Sequence, residues 1–193
     1  SSCCFRQEGS FKFRIISWNF GEQNKDKLEC IFDNTQHEGI TSEETIFVIG
    51  LQEVENTEIP YIKSYFNEQF HTDHYNTIMI QKGSGTVIGS GFDLLTFIIY
   101  PKYMAISDLG GESITVPSEP SVKGRLSSTK GYLWTTLTIN GKDVTLVNIH
   151  LPFQDAEFSI KNFKMLNEKF SKKQNVIMFG DYNSRSTVDD TCI

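Results

Sequence analysis

The chain has 193 residues, 38% of them hydrophobic with fifteen Phe and seven Tyr, a share that builds a core and excludes a disordered chain. Its formal net charge of −6 is a poor match for a protein that grips long nucleic acid by neutralising phosphates, although a cleft can be locally basic, and it fits a metal enzyme whose carboxylates collect divalent cations. No apolar run approaches the roughly twenty residues of a membrane span, and no basic-then-apolar segment opens the chain.

Four cysteines, Cys3, Cys4, Cys30 and Cys192, lack the spacing of a disulfide framework or a zinc site, and there is no Asn-x-Ser/Thr acceptor. Both features favour a cytoplasmic reading. Cys3-Cys4 are read as surface thiols in preference to a lipidation site. A start at Ser1-Ser2, without Met, is what a processed or excised piece would show.

Phe11, Phe13 and Ile15 alternate with Lys12 and Arg14, the period of a half-exposed strand, which runs through Trp18 to Asn19. Gly21 permits a turn, and Leu28, Ile31 and Phe32 are spaced for the apolar face of a helix from Lys25 to Asp33. Residues 34–44 are polar and read as a loop. Thr45 to Leu51 reads as a buried strand ending in Gln52-Glu53-Val54-Glu55. Pro60 suits the first turn of a helix whose Ile62, Phe66 and Phe70 form an apolar stripe. This alternation of strand and helix predicts an α/β sandwich.

Two further strands, Thr77 to Gln81 and Leu94 to Tyr100, flank a Gly/Ser-rich turn. Asp108 to Thr129 shows no apolar period and carries Gly110-Gly111, Pro117, Pro120 and Gly124, so it reads as one long loop. Its Lys123 and Arg125 either sit over an anionic substrate or are simply solvated. Asn140-Gly141, between Tyr132–Ile139 and Val144–Ile149, predicts a hairpin. Asp155 and Glu157 then open a helix with Phe158, Phe163, Leu166 and Phe170 on one face and Lys161, Lys164, Lys169 and Lys172 on a solvated one. The apolar run Val176 to Phe179 predicts a strand buried on both faces. It stops at Gly180, which permits a tight turn, and delivers Asp181 and Asn183 to one side of extended backbone. An Asx-type turn that merely closes the strand is the plain alternative.

Four apolar runs thus end in polar clusters, and in α/β proteins such ends meet at one cleft. Glu53 is the candidate metal ligand, because Mg²⁺ takes hard oxygens from one or two carboxylates and keeps positions for water and substrate phosphate. Gln52 and Asn19 would brace that ligand or complete the coordination. The alternative is a solvated strand end. Of the four histidines only His150 terminates a buried strand, where it can hold a phosphate oxygen or stabilise developing charge; a structural histidine is the competing reading.

In the order Trp18-Asn19, Gln52-Glu53, Asn148-x-His150-Leu151 and Gly180-Asp181-x-Asn183, these motifs resemble the endonuclease/exonuclease/phosphatase superfamily, from Ile15 to about Arg185. The resemblance implies a DNase I-like four-layer α/β sandwich, with residues 1–193 as a single catalytic domain. It implies a metal-dependent phosphoric ester hydrolase using Mg²⁺, with Mn²⁺ as the substitute, held by Glu53 and Asn19. His150 would contact the scissile phosphate, Asp181 activate the attacking water, and Asn183 position that water and stabilise the transition state.

Within the superfamily the pattern is similar to the inositol polyphosphate 5-phosphatases: Lys130-Gly131 before a hairpin, Asn148 to Leu151, and Gly180 to Arg185. That similarity implies Lys130 and Asn148 at the substrate, with Lys130 neutralising its phosphate and Arg185 bracing the site. The partner it implies is an inositol phosphate or phosphoinositide headgroup, met in the cytoplasm or peripherally at a membrane. Met178 and Ser184 depart modestly from the family pattern. The family's later segments, a Tyr-Lys element, a Trp-Cys-Asp-Arg run and a final Asp-His pair, have no counterpart. The expectation is therefore a C-terminally incomplete domain that turns over slowly or not at all. Alternatives on the same fold are a sphingomyelinase-like phosphodiesterase or a nuclease; an alternative of another class is an inactive phosphoinositide-binding module.

Overall fold

The structure, a computed structural model, describes residues 11–21, 28–29, 45–82, 92–115, 130–152 and 156–183. Strands β1 (Lys12–Asn19), β2 (Thr45–Glu55), β3 (Tyr75–Lys82) and β4 (Phe92–Pro101) form one sheet in the order β1-β2-β4-β3. Strands β5 (Ile106–Thr115), β6 (Gly131–Ile139), β7 (Lys142–His150) and β8 (Val176–Asp181) form a second in the order β5-β6-β7-β8. Two helices are α1 (Ile59–Gln69) and α2 (Ala156–Phe170).

The layers follow from which face each side chain takes. On β2, Phe47, Ile49 and Leu51 turn outward with Phe97 and Ile99 of β4, and pack beneath Ile59, Ile62 and Phe66 of α1. The alternate residues Ile46, Val48 and Ile98 turn inward, against Leu137, Leu146 and Phe179 of the second sheet. Tyr132, Val147 and Ile149 form that sheet's outer face, covered by Leu166 and Phe170 of α2. A central strand apolar at every position needs both faces covered, and here a sheet covers one and a helix the other. The result is the expected four-layer sandwich, α on β on β on α. No helix among the described residues is long and apolar enough to cross a membrane.

The hairpin forms as predicted: Asn140 and Gly141, at φ +50° and +78°, join β6 to β7, the left-handed pair that a two-residue hairpin turn demands. Pro60 lies in the first turn of α1. Of the helix predicted over Lys25 to Asp33, only helical Leu28 and Glu29 fall within the described residues, and Leu28 is buried. The 34–44 loop, the Gly/Ser-rich turn, Lys123, Arg125 and Arg185 lie outside them.

Four expectations are corrected. Asp108 to Thr129 is not loop throughout, since Ile106–Thr115 is strand β5. A bulge between Asp108 and Gly111 interrupts its pairing with β6 and hides the period-two pattern. Strand β8 is not buried on both faces: only Phe179 is buried, and Val176, Ile177 and Met178 are half-buried because β8 lies at the edge of the described sheet. Gly180 does not make a turn but continues β8 at φ +138°, where a Cβ would stand 2.0 Å from the Ile149 carbonyl oxygen. Its role is close backbone approach. Finally, the lysine face of α2 is not wholly solvent-directed, because Lys169 pairs with Glu112 at 2.7 Å and lies over the Trp134 ring.

Candidate active site

The space between the sheets changes character from one end to the other, and strand alternation explains how. Phe11, Phe13 and Ile15 lie in the apolar inter-sheet layer, so Ser17 and Asn19 continue their face. On β7, Val144 and Leu146 are followed on the same face by Asn148 and His150; on β8, Ile177 and Phe179 are followed by Asp181. Parallel registers align these ends, Asn19 beside Gln52 and His150 beside Asp181, while Gly131 pairs with His150 across the hairpin.

The first polar level is closed. Gln52 and Asn148 are both fully buried. Gln52 Nε2 donates to Asn148 Oδ1 at 2.9 Å and to Ser17 Oγ at 3.3 Å. Asn148 Nδ2 in turn donates to the Leu95 carbonyl at 2.8 Å and to Thr96 Oγ1 at 3.2 Å. This ties the two sheets together through amides. Asn148, expected at the substrate, is therefore spent within the protein and sits behind the site. Ser17 and Thr96 are members of this level that sequence reading did not single out; the phase of the inner apolar residues was the signal that would have found them.

The second level is partly open to solvent through Glu53, Lys130 and Asp181, with His150 buried beneath them. Glu53 is carried by a bulge: Leu51 pairs with Leu95 and Val54 with Asp93, so the pair Gln52 and Glu53 faces one residue of β4. Glu53 has φ +55°, a conformation that costs a non-glycine residue about 1–3 kcal/mol and gathers at functional sites. Its Oε1 lies 3.3 Å from Lys130 Nζ and 3.3 Å from His150 Nε2. Lys130 Nζ is 2.6 Å from the same imidazole nitrogen. Asp181 Oδ2 lies 4.0 Å from His150 Nε2 and accepts from Asn19 Nδ2 at 2.9 Å. The structure thus brings Asn19, Glu53, Lys130, His150 and Asp181 to one place.

Asn183 is placed differently. Its backbone is left-handed at φ +48°, its N–H donates to Asp181 Oδ1 at 2.9 Å, and its side-chain amide donates to the Leu151 carbonyl. The Asx-type turn is therefore present, and it orients the Asp181 carboxylate while the Asn183 side chain turns to the β7 end. Tyr182 between them stacks on Phe163 of α2 at 5.2 Å, anchoring the turn to the helix; burial raises the pKa of its hydroxyl. At the same end of the first sheet Lys82 is buried, and desolvation lowers the pKa of its ammonium while Asp93 opposes that shift.

The donor chemistry bears on what cation fits. Among the described residues no group of three His, Cys, Asp or Glu side chains is set to hold a metal. A half-exposed Glu53 carboxylate at the end of β2, with Asn19 at the end of the neighbouring strand β1, is a sparse set of hard oxygens, the kind that suits Mg²⁺ when water and substrate phosphate fill the remaining positions. Gln52 Oε1, buried behind them, has no hydrogen-bond partner among the described residues.

Residues 16–192 match the Endonuclease/Exonuclease/phosphatase family 2. No curated protein matches the chain. Among solved structures it is similar to TDP2 of D. rerio complexed with single strand DNA product, at 21% identity and a TM-score of 0.55 over 89% of this chain and 61% of that one. It is also similar to ANGEL2, a 2',3'-cyclic phosphatase, at 18% identity and a TM-score of 0.56 over 92% of this chain and 55% of that one. A third is an endonuclease/exonuclease/phosphatase family protein of Bacteroides thetaiotaomicron, at 15% and 0.54 over 88% and 62%. The chain spans about three fifths of the length of these proteins, and at such identities the likeness is one of fold. With two packed sheets flanked by helices, strand ends that gather their polar residues at one edge, and a family match over nearly its whole length, the chain belongs to the endonuclease/exonuclease/phosphatase family and has its DNase I-like fold.

Proposed function

We propose that the site hydrolyses a phosphate monoester with the help of a divalent cation, and that the phosphate belongs to an inositol phosphate or phosphoinositide headgroup. The observation that supports this reading is the meeting of Asn19, Glu53, Lys130, His150 and Asp181, two carboxylates and three cationic or hydrogen-bonding groups, at one end of the inter-sheet layer. Barriers to phosphoryl transfer fall mainly through positioning and charge stabilisation, and these groups are of the types required. Asp181, held by Asn19 and the Asn183 N–H, takes a proton from water. The water oxygen attacks phosphorus, the ester P–O bond breaks, and the leaving alcohol is protonated from solvent. His150 and Lys130 engage the phosphate oxygens as charge builds on them. When bound at Glu53 and Asn19, Mg²⁺, or Mn²⁺ in its place, supplies neutralisation of phosphate charge.

The headgroup assignment rests on Lys130-Gly131 leading into the hairpin and on the net charge of −6, which disfavours a long polyanion. The site would then work in the cytoplasm or at a membrane surface, within a single catalytic domain. The test is inorganic phosphate release with Mg²⁺ from inositol phosphates and phosphoinositide vesicles, beside sphingomyelin and DNA. Slow release from the inositol substrates is expected, reduced further, by about a hundredfold or more, by Asp181→Ala. Turnover confined to sphingomyelin or DNA would refute the headgroup assignment, and tight phosphoinositide binding with no turnover would replace the enzyme by a binding module.

A further inference from the structure

The Lys130 ammonium touches the two residues that the hydrolysis reading assigns to metal and phosphate, and it touches them at once. We infer that Lys130 is a built-in placeholder for the divalent cation: its Nζ neutralises Glu53 and latches His150 until an arriving ion displaces it toward the substrate phosphate. The inference rests on the reading of Glu53 as metal ligand.

An ammonium has donors and no acceptor. Its 2.6 Å contact with His150 Nε2 therefore uses the lone pair of that nitrogen, and the same group lies 3.3 Å from Glu53 Oε1. A hard cation bound to this oxygen would stand about 2.0–2.1 Å from it. Lys130 Nζ at 3.3 Å from that oxygen and a dication would then be at most about 5.4 Å apart, inside the range where like charges in a partly desolvated site repel. Both cannot stay.

The geometry also says which one yields. Glu53 is fixed by the β2 bulge and its left-handed backbone, and His150 is buried at the end of β7. Lys130 stands just ahead of β6, 18% exposed, on a flexible four-carbon stem. Without it, the Glu53 and Asp181 carboxylates would flank the same imidazole without the ammonium between them. Lys130 thus sets the threshold for cation entry and, once displaced, is delivered beside the position of the phosphate.

The test is calorimetric titration of Mg²⁺ into the wild-type chain, Lys130→Met and Glu53→Gln, each checked for folding, with acetylation of Lys130 in the wild type followed by mass spectrometry. Lys130→Met is expected to bind Mg²⁺ about tenfold more tightly, within the range usual for coupled sites, and Glu53→Gln to lose binding. Acetylation of Lys130 should rise several-fold at saturating Mg²⁺. Equal or weaker Mg²⁺ affinity in folded Lys130→Met, with binding still lost in Glu53→Gln, would overturn the placeholder and leave the metal reading standing. Unchanged affinity in Glu53→Gln would remove the metal from Glu53 and the placeholder with it. Should Lys130→Met not fold, the labelling decides alone: acetylation indifferent to Mg²⁺ overturns the inference.

Discussion

At the scale of single residues, Asn148 and His150 show how two neighbours on one strand face divide the labour. Both point between the sheets, yet His150 reaches the open level while Asn148 bridges Gln52, Leu95 and Thr96 in a closed one. Asn148→Ala leaves the Gln52 amide and the Leu95 carbonyl short of partners, so a loss of about 1–3 kcal/mol is expected, read by urea denaturation; a midpoint equal to wild type would contradict the bridging role. Tyr132 gives a pH prediction. Burial first, and the Glu112 charge second, push its hydroxyl from 10.0 up to about 12. Above pH 10 the unfolded chain releases a proton that the folded one keeps, so stability present below pH 10 is lost between pH 10 and about 12. Each unit of that interval is worth about 1.4 kcal/mol. Tyr132→Phe should flatten this part of the alkaline unfolding profile, and an unaltered slope would show that the hydroxyl is not its source. Sequence reading found the residue types at the site but not their depth, because motif neighbours such as Asn148 and His150 look alike until the strand register is known.

Elements were legible wherever their signals were local. The Asn140-Gly141 turn and the Pro60 start of α1 each lie within a few residues of sequence, and each holds in the structure. Gly141→Val would force a β-branched residue to φ +78°, at about 1–2 kcal/mol. The expected readout is a melting temperature lower by roughly 2–8 °C; no shift would mean the turn relaxes freely. Strand β5 was illegible for the opposite reason. Its Asp108-Leu109-Gly110-Gly111 stretch has no alternation of its own, and only pairing with β6 across a bulge, with Thr135 Oγ1 donating to Asp108 Oδ1 at 2.6 Å, makes it a strand. The bulge in β2 is likewise silent in Gln52-Glu53, although it is what turns Glu53 to the site.

On the scale of the whole molecule, the convergence of four strand ends could be argued from sequence, because each apolar run stops at polar residues and parallel neighbours stop together. The contact of Lys130 with both Glu53 and His150 could not, since it joins a residue ahead of one sheet to the central strand of the other. The hairpin also imposes an order of assembly. Gly131 pairs with His150, so Lys130 and His150 become neighbours as soon as β6 and β7 zip, an event of about 1–10 μs in isolated hairpins. Glu53 comes from 77 residues before Lys130, and Asn19 meets Asp181 across 162 residues. Contacts of such sequence separation are slow to close. Lys130 and His150 are thus joined by a local hairpin, whereas Glu53 reaches them only through long-range contact between the sheets. An ion that needs Glu53 and Asn19 together is bound only by chains in which β1 and β2 have already paired, and by binding there it holds that parallel pairing shut.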